Sequence, residues 1–394
     1  MAEDPNSWEP ATRLIRGGLM RSNHGEISEA LYLTQSFAYE SAGAADRRFS
    51  GEDPGFVYSR YANPTTQMFE ERLALLEGAE YCRALASGMA AVHVALTGLL
   101  KAGDHLVAGR ALFGSCNWIV AQYLPRFGVE TTFVDAVDLD AWKAAMRPNT
   151  KVVLLESPAN PLLEITDIEE VVKIAHAAGA KVVVDNVFAT PIFQKPLTLG
   201  ADVVVYSATK HIDGQGRVLG GAILGDRQLL EDAYRDIIRH TGPAMSPFNA
   251  WVLLKGLETL DLRVRRQTET AAALADLIAG SPKVTSVRYP GREDHPQALV
   301  ARKQMSGFSN LLAFDLGSRE AAWRFLDALE IVDISNNLGD AKSMATHPST
   351  TTHRAMPEDK RLEIGLTEGF VRMSVGLEDL KDLTRDVRRA LDAA

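Results

Sequence analysis

The strongest constraint on this chain lies between residues 104 and 206. Five short apolar runs occur there: Asp104–Ala108, Thr131–Asp135, Lys151–Glu156, Lys181–Asp185 and Asp202–Tyr206. They alternate with stretches of helical character. Three of the five hold an unbroken Val/Leu triplet or longer. Strands that apolar are usually buried on both faces, as in a parallel sheet. Between two of them lies Asp167–Ala178, with Asp167 as cap, Glu170 three residues on and Gly179 at the end. That is a complete strand–helix–strand unit. The middle of the chain is therefore expected to be an α/β domain with a mostly parallel sheet.

The flanks extend this reading. Pro64 occupies a first helical position, and Phe69, Leu73 and Leu76 follow at helical spacing up to Gly78. A second helix starts near Ser87, with Met89, Val92, Leu96 and Leu99 on one face. Pro247–Gly280 reads as a long helix, broken once, that leads out of the large domain. Beyond it come strands near Ser286–Tyr289 and Asn310–Leu316, a helix at Arg319–Leu329, strands at Ile331–Ser335 and Phe370–Val375, and a closing helix to Leu391. This is a smaller α/β domain. The Thr-rich tract Thr346–His353 reads as a loop. Residues 1–60 carry little periodicity and read as an arm that packs on something else, such as a second subunit. The expected division is 1–60 arm, 61–256 large domain and 257–394 C-terminal domain.

A chain of 394 residues suits two or three domains and needs no disulfide staples. Its net charge of −9 argues against nucleic acid or an anionic membrane surface as the main partner. The start Met-Ala-Glu-Asp-Pro-Asn-Ser lacks the basic and apolar regions of a signal peptide. No apolar run approaches the ~18–20 residues of a membrane helix. The two cysteines, Cys82 and Cys116, form no Cys-x-x-Cys pair, which fits a reducing cytoplasm.

Ligands of open parallel sheets bind beyond the carboxyl ends of the strands. Asp185-Asn186 follows one strand here, and Ser207-Ala208-Thr209-Lys210 another. A lysine after a buried strand, with hydroxyls at −1 and −3 and an acid from a nearby strand end, matches the needs of one cofactor. Pyridoxal 5'-phosphate requires an amine for its aldehyde, an acid for its ring nitrogen and donors for its phosphate. Lys210 would form the Schiff base and Asp185 would pair with the ring nitrogen. Ser87, Gly88 and Met89 would offer N–H groups at a helix start, with the Ser207 and Thr209 hydroxyls beside them. Each piece alone is ordinary; their joint order carries the inference. Gly214-Gln215-Gly216 has the wrong spacing for a dinucleotide-binding turn, which sets aside a nicotinamide dehydrogenase. His347 and His353 sit six apart in a Pro-containing loop, so no metal site is expected.

From about residue 12 to the end, the sequence resembles the Cys/Met-metabolism PLP enzymes of fold type I. The carrying motifs are Tyr58-Ser59-Arg60-Tyr61-Ala62-Asn63-Pro64-Thr65, Ser87-Gly88-Met89, Glu156-Ser157-Pro158-Ala159-Asn160-Pro161, Val184-Asp185-Asn186 and Ser207-Ala208-Thr209-Lys210. The segments 207–221 and 335–340 are similar to the branch that joins sulfide to O-succinylhomoserine. The resemblance implies a seven-stranded, mostly parallel PLP-binding domain and γ-replacement on an O-acylated homoserine. It leaves open cystathionine synthesis, the γ-lyases of the same family, and a catalytically silent binding homologue. It further implies that Tyr58 and Arg60 cross from a neighbouring subunit to the cofactor phosphate, with Tyr58 also catalytic. The assembly would then be a homotetramer of dimers that share active sites. Arg372 would clamp the substrate α-carboxylate with help from Asn160 and Ser335. Phe113 stands where the family usually has a tyrosine stacked on the cofactor, so a phenol is missing there.

Overall fold

The computed structural model describes residues 4–394. Met1–Glu3, part of the start read above as lacking signal character, lie outside the described residues. The larger sheet holds β1 (Tyr81–Leu85), β2 (His105–Gly109), β3 (Glu130–Val134), β4 (Thr150–Glu156), β5 (Lys181–Asp185), β6 (Val203–Ser207) and β7 (Gly221–Gly225). Their order is β1-β7-β6-β5-β4-β2-β3, and β7 alone runs antiparallel to its neighbours. The five expected strands are β2 to β6, within two residues at each end. The resemblance implied seven strands, as found, but the periodicity did not place β1 and β7.

Side-chain alternation explains the layers. In β6, Val203 and Val205 join a cluster with Val92, Leu96 and Tyr234, from the helices Gly88–Thr97 and Arg227–Thr241. Val204 points the opposite way, to Phe69 and Leu253, from the helices Pro64–Glu77 and Pro247–Leu257. Successive strand residues face opposite sides, so a Val triplet survives only where both sides are dry. The helix Ile168–Ala177 covers β4 and β5 through Val171 and Val172, starting at Asp167 as expected.

The second sheet has β8 (Ser286–Arg288), β9 (Leu311–Asp315), β10 (Asp333–Ile334), β11 (Met344–Thr346) and β12 (Phe370–Ser374), in the order β10-β11-β12-β9-β8. In β12, Val371 and Met373 join the core under the helices Leu260–Ala279, Arg319–Asp327 and Leu380–Ala393. Arg372, between them, must face the other way, toward the larger sheet.

Three sequence expectations need correction. The strand at Ile331–Ser335 shrinks to the two residues of β10, because the Ile331 and Val332 N–H groups donate to the Asp386 carboxylate instead of to a neighbouring strand. The tract Thr346–His353 is not wholly loop: Thr346 closes β11 and pairs with Arg372. Among the described residues, the first 60 contain two α-helices, Pro10–Arg16 and Ala42–Ser50, and a short 3-10 helix, Pro5–Ser7. Leu14, 1% exposed, packs with Met68, Phe69 and Leu73 of the same chain, so the start of the arm docks at home. Later arm residues do stand bare: Ile27 is 82% exposed, Leu33 70% and Phe49 67%. Among the described residues, no helix is long and apolar enough to cross a membrane.

Candidate active site

Three neighbouring strands of the larger sheet end in polar residues: β4 in Glu156, β5 in Asp185 and β6 in Ser207. Beyond these ends lies a cavity of about 240 Å³. Ser87, Gly88 and Met89 line it from the helix start. Asp185, Ser207, Thr209 and Lys210 line it from the strand ends and the turn after β6. Phe113, Asn160 and Arg372 complete the set.

The lysine is placed by its turn. Gly214 N–H donates to Lys210 O at 2.8 Å, and Lys210 Nζ donates to Asn337 Oδ1 at 2.5 Å. Desolvation, helped by the Arg372 charge, pulls the amine down to about 8. Asp185 closes β5, and Val187 N–H donates to its carboxylate at 3.1 Å. Desolvation outweighs that bond and pushes the carboxyl up to about 6.

Glu156 stands beside Asp185 in the β4–β5 register and is 4% exposed. Desolvation first, and the Asp185 charge second, push its carboxyl well above the usual range. It still accepts Phe113 N–H at 2.9 Å and Asn160 N–H at 2.8 Å. It thus fixes the backbone of two cavity residues at once. It had gone unassigned in the sequence, although an acid at the end of an otherwise apolar strand was a legible signal.

Arg372 reaches the cavity from β12 and is 2% exposed. Nη1 donates to Asn160 Oδ1 at 2.8 Å, and Nη2 donates to Asn336 O at 2.8 Å. Nε is buried with no partner. Desolvation pulls the group down to about 10, against the Glu156 charge. A buried guanidinium with an unused donor lacks an acceptor the fold itself does not supply. A substrate carboxylate fits that vacancy in the bonding.

The site suits pyridoxal phosphate on independent grounds. Ser87 Oγ accepts Ala90 N–H at 3.1 Å and Ser87 O accepts Ala91 N–H at 3.1 Å. The Gly88 and Met89 N–H groups are thereby left free at the start of a ten-residue helix, where an anion is favoured. A Cβ on Gly88 would lie 2.5 Å from Ser207 Cβ, so only glycine lets this helix start close on the end of β6. An amine, an acid, anion donors and an aromatic ring are all present on one cavity.

Not every expected residue arrives there. The Thr209 hydroxyl lines the cavity but already bonds Gly220, donating to its carbonyl at 3.2 Å and accepting its N–H at 3.1 Å. Ser335 is not part of the lining, and its Oγ accepts Asn337 N–H at 3.3 Å. The backbone carbonyls of Asn336 and Asn337 meet Arg372 in its place. Tyr58 and Arg60 lie in a separate surface cluster. The Arg60 guanidinium sits 5.3 Å from the Tyr58 ring and 4.9 Å from that of Tyr61, and donates to Arg239 O. His347 and His353 bond to Thr350 and Thr352, and no metal-holding cluster exists among the described residues. Both cysteines are buried free thiols, pushed well up by desolvation.

Comparisons with known proteins point to one family. The family described as Cys/Met metabolism PLP-dependent enzyme matches residues 11–392. An O-succinylhomoserine sulfhydrylase of Mycobacterium tuberculosis is 54% identical over 98% of this chain and 97% of its own length. One of Pseudomonas aeruginosa is 47% identical over 97% of this chain and 95% of its own. A solved structure from Campylobacter jejuni carries an N'-pyridoxyl-lysine-5'-monophosphate. It superposes with a TM-score of 0.94 at 31% identity, over 98% of this chain and 100% of that one. With the sheet, the lysine turn and the arginine of β12 all in place, the chain belongs to the Cys/Met-metabolism family of PLP-dependent enzymes.

Proposed function

We propose that this enzyme performs γ-replacement on O-succinylhomoserine, with sulfide as nucleophile, giving homocysteine and succinate. The observation that carries the reading is the convergence of Lys210, Asp185 and the half-satisfied Arg372 on one cavity. The choice of succinyl donor and sulfide is supported by the named activity of the relatives at 54% and 47% identity.

In this reading Lys210 would take the cofactor aldehyde, Asp185 would pair with its ring nitrogen, Phe113 would offer the ring an aromatic face, and Ser87, Gly88, Met89 and Ser207 would hold the phosphate. When bound, pyridoxal phosphate supplies a sink for the negative charge that builds at the substrate Cα. Arg372 Nε grips the α-carboxylate, with Asn160 fixing the guanidinium. The substrate's own amine would displace Lys210 from the aldehyde, and the freed Lys210 amine, eased toward its neutral form, would remove the Cα proton. Lys210 would pass that proton to solvent and then accept a Cβ proton, and succinate would depart from Cγ. Sulfide adds at Cγ, and Lys210 returns protons to Cβ and Cα. Phe113 has no hydroxyl to share this proton traffic, so the task falls to Lys210 and to Tyr58 from a neighbouring copy.

The cations lining the cavity, Lys210 and Arg372, are both engaged in these roles. The phosphate then needs a cation from elsewhere, and half-buried Arg60, held between the Tyr58 and Tyr61 rings, is suited to supply it to a neighbouring subunit. We propose that the enzyme works in the cytoplasm as a homotetramer of site-sharing dimers, each chain divided into an arm (1–60), a cofactor domain (61–256) and a C-terminal domain (257–394).

The test is a turnover assay with O-succinyl- and O-acetylhomoserine, each with sulfide and with cysteine. Homocysteine from the succinyl donor and sulfide is expected. Cystathionine as the main product, or simple elimination to a keto acid and ammonia, would overturn the assignment. Borohydride reduction followed by peptide mass spectrometry is expected to mark Lys210 with the cofactor.

A further inference from the structure

A second cavity, of about 720 Å³, adjoins the first, and Phe113 and Asn336 line both. None of the steps above uses it. Its lining comes from the turn after β2, from the helix Gly114–Trp118 and from the stretch 352–364. The first cavity must take the cofactor together with the amino-acid end of the substrate. The O-acyl arm on Cγ therefore needs room next door, past Phe113 and Asn336.

The charges in the second cavity are few. Arg110, Lys360 and Glu363 are the lining residues with formal charge. Lys360 and Glu363 pair with each other at 2.6 Å. Arg110 makes no side-chain hydrogen bond or ion pair among the described residues. Its acidic neighbour is Glu164, whose carboxyl is pushed up to about 7 by burial and by Asp135, against the Arg288 and Arg110 charges. Around neutral pH that group is only partly charged. Arg110 is half-buried among Trp118, Phe133 and Met356, where a charge-assisted bond is stronger than in water.

Resting on the γ-replacement reading, we infer that the second cavity receives the O-acyl arm, and that Arg110 selects succinyl over acetyl by gripping the distal carboxylate. An acetyl group ends in a methyl and offers the guanidinium nothing to bind. After the Cγ–O bond breaks, the same contact holds the departing succinate, which is then an inhibitor where acetate is not.

The experiment measures kcat/KM for O-succinyl- and O-acetylhomoserine with sulfide, for the wild type, Arg110→Gln and Arg110→Lys. Cofactor absorbance and a thermal melt check each protein, and Arg110→Lys serves should the glutamine variant fail to fold. Arg110→Gln is expected to lower kcat/KM for the succinyl donor by roughly tenfold to hundredfold, mainly through KM. The acetyl donor is expected to change by less than about threefold in the same assay, and Arg110→Lys to fall between. Succinate inhibition is expected to fade in Arg110→Gln. Equal losses on both donors, or none on either, would overturn the inference alone. Turnover of neither donor by the wild type would instead remove the γ-replacement reading, and this one with it.

Discussion

Glu77 closes the helix Pro64–Glu77 with its side chain fully buried. Tyr206 Oη donates to its Oε2 at 2.6 Å, while Oε1 has no partner. Asn186, next to Asp185 in the chain, donates to the same Tyr206 oxygen at 2.6 Å. Desolvation pushes the Glu77 carboxyl from 4.5 up to about 8, with the Tyr206 bond and the Lys195 charge opposing. The unfolded chain releases this proton near 4.5. Between the two values the folded protein keeps a proton that the unfolded chain gives up. The stability Glu77 contributes is therefore whole below about 4.5 and drains away as pH rises toward about 8. At about 1.4 kcal/mol per pH unit, the full loss is on the order of 4–5 kcal/mol. Glu77→Gln keeps the shape and an acceptor for Tyr206, with nothing to ionise. The variant is expected to match the wild type near pH 5 and to exceed it by several kcal/mol near pH 8. Unfolding of so large a chain need not be two-state. The assay is thus the difference in thermal or urea midpoints between the two holoenzymes across that pH range. Midpoints that run parallel with pH, or a gap that closes as pH rises, would refute the reasoning.

Three further outcomes can be checked. Asp185→Asn is expected to retain bound cofactor by absorbance but to slow turnover by about a hundredfold or more, and near-normal rates would contradict its role at the ring nitrogen. Arg372→Lys is expected to raise KM for the amino-acid substrate by roughly tenfold to hundredfold, because a point charge cannot hold Asn160 and a carboxylate together; an unchanged KM would say the carboxylate binds elsewhere. Arg60→Ala and Lys210→Ala, each inactive alone, are expected to regain turnover when their subunits are mixed by co-refolding. Silence in the mixture would mean that the site is not shared between copies.

The legibility of this fold depended on how burial shapes sequence. β4, β5 and β6 were readable because strands covered on both faces tolerate only apolar residues. β1 escaped because Arg83 interrupts it, its guanidinium donating to Tyr61 O at 2.9 Å. β7 escaped because two glycines bound a three-residue core. A Cβ on Gly221 would lie 2.0 Å from Ser87 O, so close packing rather than propensity sets its composition. Lys210 and Asp185 could be foreseen because strand ends in a parallel sheet converge. Arg372 could be foreseen only through resemblance, yet the alternation Val371, Arg372, Met373 accounts for where it points. Ser335 stands outside the cavity lining: beside the Asn160 side chain, Arg372 meets the main-chain carbonyls of Asn336 and Asn337, which leave no mark in the sequence. For Tyr58 and Arg60, no reasoning within one chain could place them in the cavity.

One consequence follows from the fact that Lys210 stands on the larger sheet and Arg372 on the smaller. In the proposed reading, a substrate whose nitrogen joins the cofactor in place of Lys210 and whose carboxylate meets Arg372 becomes a rivet through both halves of the molecule. Amino acids that fill both grips should tighten the two halves against each other, and amines lacking a carboxylate should not. Ligand-dependent protection of backbone amides in β12 would thus report the arrival of a complete substrate, separately from any chemistry performed on it.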